Sequence, residues 1–146
     1  MKTFSQKPAD VSRQWYLLDA STLTLGRLST QAASLLLGKA KATITPHTDG
    51  GDFVIVINAA DVLVTGGKET KKEYFRHSGY PGGLYKRTLT EQQAKSPESI
   101  IYKAVRGMLP NNKLREGRLA RLKIYAGSEH NHNAQKPTAL SLKGSK

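Results

Sequence analysis

The chain has 146 residues, 38% of them hydrophobic, and carries 23 Lys and Arg against 11 Asp and Glu for a formal net charge of +12. That length predicts one compact domain burying about two-thirds of its unfolded surface. With no cysteine, disulfides and thiolate zinc sites are excluded and a reducing compartment is compatible. The opening MKTFSQKPADVSRQ is too polar for a signal peptide, and the longest apolar stretch, Phe53 to Val64, is broken by Asn58 and Asp61, so a soluble cytoplasmic protein is expected.

The first twelve residues read as a loose arm and Trp15 to Ala20 as a first strand. Leu25, Leu28, Ala32, Leu35 and Leu36 recur at helical spacing after a Thr22 or Thr24 cap and before Gly38, which predicts a core-facing helix. Phe53-Val54-Ile55-Val56-Ile57 shows no alternation, as expected of a strand covered on both faces of a parallel sheet. Strand, helix, strand implies a right-handed crossover. Asp49 and Asp52 flank Gly50-Gly51, and a loop entering the long strand explains them better than a pair of catalytic carboxylates.

Further along, Thr90-Glu91-Gln92-Gln93 fits a capping box, and Ser96-Pro97-Glu98 fits a second helix start. Ile101, Ala104, Val105, Met108 and Leu109 form the apolar stripe of that helix, with Ser99, Lys103 and Arg106 opposite and Pro110 at its end. Leu122 to Ala126 reads as a last strand, and the polar segment from Gly127 as a tail disordered without a partner.

The basic residues are unevenly spread. Up to Thr65 there are 6 basic and 5 acidic residues, and beyond it 17 and 6, so the two parts carry +1 and +11. A protein that lays one side against a polyanion needs such polarity. An anionic membrane fits less well, because Gly, Pro and Asn interrupt the basic stretches where a surface helix needs a sustained amphipathic face. In GGKETKKEYFRHSGYPGGLYKR, residues 66–87, six cations alternate with Tyr74, Phe75, Tyr80 and Tyr85 around a glycine-rich turn. Lys and Arg neutralise phosphate, aromatic faces stack on unpaired bases, and glycine admits a ribose-phosphate chain close to the backbone. A solvated basic hairpin is the plain alternative for this segment alone.

Catalytic patterns fail on particular positions. Gly66-Gly67-Lys68 follows a short apolar run, yet Glu69 stands where Ser or Thr must hold magnesium and Val62 where the first glycine of a phosphate loop belongs. Gly79, Gly82 and Gly83 do not make a dinucleotide fingerprint. His130-x-His132 lacks a third metal ligand, so a surface or RNA-contacting role is the stronger reading. Ser78 beside His77 has no nucleophile-elbow spacing. An enzyme acting on nucleotides or tRNA is therefore left without a constellation, whatever the α/β pattern permits.

LGRLS at 25–29, GDFVIVINA at 51–59, VTGGK at 64–68, YFRHSGYPGG at 74–83, AVRGMLP at 104–110, LKIYAG at 122–127 and HNHNAQKP at 130–137 occur in an order that resembles the bacterial form of the large-subunit ribosomal protein thirteen family. The resemblance covers nearly the whole chain and runs out at residues 1–12 and after Pro137. It implies an N-terminal arm at 1–12, a ribosomal-protein domain at 13–137 and a basic flexible tail at 138–146. It also implies a single three-layer α/β/α domain with a mostly parallel central sheet and a basic glycine-rich hairpin extension.

By the same resemblance the protein is a non-catalytic constituent of the large ribosomal subunit that binds large-subunit ribosomal RNA and supports early assembly beside neighbouring large-subunit proteins. It has no cofactor, metal or small-molecule substrate. Carried over position by position, the implied RNA contacts are Lys68, Lys71, Lys72, Arg76, His77, Tyr80, Lys86, Arg87, Arg106, Lys113, Arg115, Arg118 and Arg121, with His130 and His132 as additions. Some relatives also bind messenger RNA to repress translation, so a free regulatory RNA-binding module using the same basic face is the alternative.

Overall fold

The computed structural model describes residues 4–140. Four parallel strands make the main sheet in the order β5-β2-β1-β6, where β1 is Trp15–Asp19, β2 Phe53–Ile57, β5 Leu122–Ile124 and β6 Thr138–Ala139. Between β2 and β5 lie α2 (Lys68–Lys71), a separate antiparallel hairpin of β3 (Glu73–His77) and β4 (Leu84–Thr88), and then α3 (Leu89–Lys95), α4 (Pro97–Met108) and α5 (Arg115–Ala120). Between β1 and β2 runs α1, Leu25–Leu37, which ends at Gly38 with φ 76°. The fold is a single α/β domain on a parallel sheet, as expected.

The unalternating β2 is central, paired on both sides, and Val54, Ile55 and Val56 are fully buried. Its side chains nevertheless face two different environments. Val54 and Val56 join Leu18 and Leu122 in one cluster with Leu28, Ala32 and Leu36 of α1, Leu89 of α3, Ile100, Ile101 and Val105 of α4, and Leu119 of α5. Each fully buried aliphatic side chain there contributes about 1.5–3 kcal/mol of transfer free energy. Ile55 points the other way. That face holds Trp15, stacked on Phe53 with ring centroids 4.2 Å apart, and His132, 5.0 Å from Trp15.

Topology explains the two covers. The connections β1 to β2 and β2 to β5 step one way across the sheet, whereas β5 to β6 returns to the opposite edge. Right-handed crossovers in opposite directions run over opposite faces. The helices therefore share one face. Residues 125–137 cross the other with a single 3-10 turn, Asn133–Gln135, where the family resemblance implies a helical layer.

Several local expectations shift. The capping box belongs to Thr88 and Glu91, not Thr90: Glu91 N–H donates to Thr88 Oγ1 at 3.3 Å and Thr88 N–H to Glu91 Oε2 at 3.1 Å, so α3 begins where β4 ends. Ser96 makes no side-chain cap on α4. Ile100, outside the expected stripe, is fully buried near the start of α4, whereas Met108 is 43% exposed at its end. β5 stops at Ile124, although the Tyr125 N–H still reaches Val56 O at 2.8 Å.

Both proposed termini are also partly built in. Gln6 is buried, with its carbonyl accepting from Thr48 Oγ1 at 3.1 Å, so the stretch assigned to a loose arm lies on the loop before β2. Thr138 and Ala139 pair with Tyr16 and Leu17, which carries the sheet past the expected boundary at Pro137. The flexible tail assigned to residues 138–146 lies outside the described residues from 141 onward.

Candidate nucleic-acid interface

The hairpin is a projecting ribbon whose side chains alternate between two faces. Its register pairs Tyr74 with Arg87 and Arg76 with Tyr85 on one face, and Phe75 with Lys86 and His77 with Leu84 on the other. The turn closes through Ser78 N–H to Gly83 O at 2.9 Å and Gly83 N–H to Tyr80 O at 3.0 Å. Gly79 at φ 90° and Gly82 at φ 74° occupy backbone conformations that other residues rarely adopt. The turn holds Tyr80 at the tip, 77% exposed.

The Tyr74 face of the ribbon bends over α3 and α4. Tyr74, Arg76, Tyr85 and Arg87 enclose with Gln92 and Lys103 a groove of about 470 Å³, edged by Phe75 and Ser78. Lys103 Nζ lies 4.7 Å from the Tyr74 ring centroid, and Lys72 Nζ lies 5.6 Å from it. Such cation–ring contacts fix the ammonium groups without neutralising them. Burial pushes the Tyr74 hydroxyl above its ordinary 10.0. A second groove on the other side of Tyr74 is lined by Lys68, Lys72, Lys103 and Met108. Tyr74 and Lys103 belong to both, and α2, the hairpin and α4 thus present one continuous basic and aromatic surface.

Other expected contacts fall around it. Lys71 is exposed on α2, Arg106 on the last turn of α4, and Lys113 beyond Pro110. His77 is exposed, its Nδ1 accepting from Gly79 N–H at 2.9 Å. Lys86 lies on the opposite hairpin face, where it is 3.7 Å from Glu73 and over the Phe75 ring. Arg115 is half-buried and paired with Glu116 at 3.8 Å. His130 and His132 are half-buried around Tyr125, at 6.4 and 6.0 Å between rings, as part of the cover over the second sheet face. Among the described residues no group of three His, Cys, Asp or Glu converges as a metal site. No helix among them is long and apolar enough to cross a membrane.

Arg118 and Arg121 are a correction. They are 4% and 8% exposed and turn inward. Arg121 grips Asp49 with both terminal nitrogens, Nη2 to Oδ1 at 2.7 Å, and also donates to Leu36 O at 3.3 Å and Gly117 O at 3.2 Å. Arg118 Nε lies 3.5 Å from the same carboxylate. Asp52, read from sequence as part of the loop entering the long strand, is buried and paired with Lys41 at 2.6 Å. These pairs clamp the loop before β2 against the end of α1. At Gly51 the approach is so close that a Cβ would stand 1.8 Å from Leu36 O.

Burial alone would push the Asp49 carboxyl up, but the hydrogen bonds and charge of Arg121, the Gly51 N–H and Arg13 outweigh it and hold Asp49 below the usual carboxylate range. A carboxylate depressed on folding stabilises the fold above its unfolded pKa of about 3.9, and that stabilisation is lost as pH falls through the lower folded value. Melting temperatures of the wild type and Asp49→Asn are therefore expected to differ most near neutral pH and to converge below about pH 4. A difference that is constant with pH would disprove the charge pairing.

Lys103 is absent from the sequence-based site, whereas Tyr74 and Tyr85 were read as aromatics of the basic segment but not carried over among the implied RNA contacts. Lys103 was legible as a polar-face residue one turn before Arg106 on the same helix. Its position beneath the hairpin depends on how α4 packs.

A family model described as Ribosomal protein L13 matches residues 13–131. The large ribosomal subunit protein uL13 of Alcanivorax borkumensis is 54% identical over 97% of this chain and 100% of its own length. Those of Syntrophomonas wolfei and Halorhodospira halophila are 54% and 51% identical, over 99% and 97% of this chain and the whole of each relative. With its basic face, parallel sheet and motifs matched along nearly its full length, the chain belongs to the ribosomal protein L13 family.

Proposed function

We propose that the protein is a non-catalytic structural constituent of the large ribosomal subunit in the cytoplasm. In this reading it binds large-subunit ribosomal RNA, supports early assembly and adjoins other large-subunit proteins. The observation that carries the RNA reading is the continuous surface of Lys68, Lys72, Arg76, Arg87 and Lys103 around Tyr74, none of them paired with a carboxylate among the described residues. Phosphate contacts from these side chains supply affinity, and the rigid junction of hairpin and helices supplies selectivity for RNA shape. Lys71, His77, Tyr80, Arg106 and Lys113 extend the surface. Lys86 lies on the opposite hairpin face, Arg115 is half-buried at the start of α5, His130 and His132 cover the other face of the sheet, and Arg118 and Arg121 act from inside by holding the scaffold.

The isolated protein is expected to bind large-subunit rRNA fragments with an affinity that falls by about three to five decades between roughly 50 and 200 mM salt if six to ten phosphates are contacted. Filter binding across that range measures the slope, and a flat response would contradict a phosphate-binding face. Cosedimentation with large subunits after a high-salt wash separates an integral constituent, which stays bound, from a free regulatory module, which washes off.

A further inference from the structure

The groove between the hairpin and α4 differs from the rest of the basic surface in being concave and aromatic as well as charged. We propose that it is a subsite for a single unstacked nucleotide, a deepening that rests on the RNA-binding reading above. Its volume of about 470 Å³ lies within the range of small-molecule pockets. The chemistry along its walls is divided as a nucleotide is divided. Arg76, Arg87 and Lys103 supply cations for a phosphate, and no carboxylate lines the groove to compete for them. Tyr85, 61% exposed, offers a ring face for a base.

Gln92 supplies a third element. It is 8% exposed, and its Nε2 donates to Ser99 Oγ at 2.6 Å, which fixes the amide in one orientation. The amide oxygen has no donor among the described residues and belongs to a side chain on the groove wall. An exocyclic amine or a ribose hydroxyl satisfies it. Duplex backbone presents phosphates but keeps its bases stacked and paired, so it cannot fill such a groove. A nucleotide turned out of a loop, bulge or junction can.

The test compares two RNA probes on the full-length protein. One is a single-stranded hexamer of adenylate, and the other is a fully paired RNA duplex of twelve base pairs. Wild type is expected to bind both in a salt-dependent manner. Tyr85→Ala, at an exposed position, is expected to weaken the hexamer roughly tenfold, as removal of one base-stacking side chain does, and to change duplex affinity less than twofold. Tyr85→Phe keeps the ring and should bind the hexamer as wild type does. Gln92→Glu should weaken the hexamer further, by adding a carboxylate to the groove.

If wild type binds the duplex but not the hexamer, or Tyr85→Ala binds the hexamer unchanged, or weakens both probes equally, the subsite is wrong while the RNA-binding face stands. If wild type binds neither probe at low salt, the RNA-binding face itself fails, and the subsite with it.

Discussion

Arg121→Ala is expected to cost about 1.5–3 kcal/mol of folding stability, because it removes the bidentate, charge-assisted partner of the half-buried Asp49 carboxylate and leaves it only the longer contact to Arg118. For a domain of this size that lowers the melting temperature by roughly 5–10 °C. Leu36 O and Gly117 O lose a donor at the same time, adding to the penalty. Arg106→Ala and Lys113→Ala, at exposed positions in the same charged region, should change stability by about 0.5 kcal/mol or less. Urea titrations of the three variants measure the contrast. Equal stabilities would show that Arg121 is a surface charge after all. The result also bears on RNA-binding assays, since an Arg121 variant that loses RNA through unfolding would be misread as a lost contact.

The triple replacement Arg76→Ala, Arg87→Ala, Lys103→Ala is expected to do the reverse. All three side chains are exposed and none makes an ion pair among the described residues, so the melting temperature should stay within a few degrees of wild type. Affinity for large-subunit rRNA should fall about a hundredfold, taking about 1 kcal/mol for each charge-assisted phosphate contact. The slope of log affinity against log salt should decrease by about two, since each lost phosphate contact removes about 0.7–0.9 from it. Lys86→Ala is the comparison, because Lys86 faces away from the groove and lies near Glu73. A triple variant that binds like wild type, or a Lys86 variant that loses as much, would move the RNA-binding surface off this side of the hairpin.

Much of this architecture was open to reading from residue order. The unbroken FVIVI run marks a buried parallel strand because only a doubly covered strand can dispense with polar residues on one face. Helical spacing from Leu25 to Leu36 and the glycine after it mark α1. The alternation of cations and aromatics between Gly66 and Arg87 marks an exposed basic hairpin, of which Tyr74 packs against the core. These signals lie within single elements, where local periodicity and composition are enough.

What sequence could not assign was the direction in which a charge points. Lys113, Arg115, Arg118 and Arg121 form one basic series along the chain, yet Lys113 is exposed, Arg115 half-buried, and the last two are buried against an aspartate more than sixty residues earlier. Arg118 and Arg121 turn inward because the half-buried Asp49 carboxylate meets them, and that partner is delivered by the packing of the loop before β2 onto α1 and α5. Lys103 shows the opposite case, a helix-face lysine that becomes part of the site because the hairpin folds over it. The cover over Ile55 is decided the same way: the return of the chain from β5 to β6 forces residues 125–137 across that face. Composition and spacing report what a residue prefers, but long-range contacts choose which preference is met, because burial and ion pairing depend on neighbours that are close only after folding.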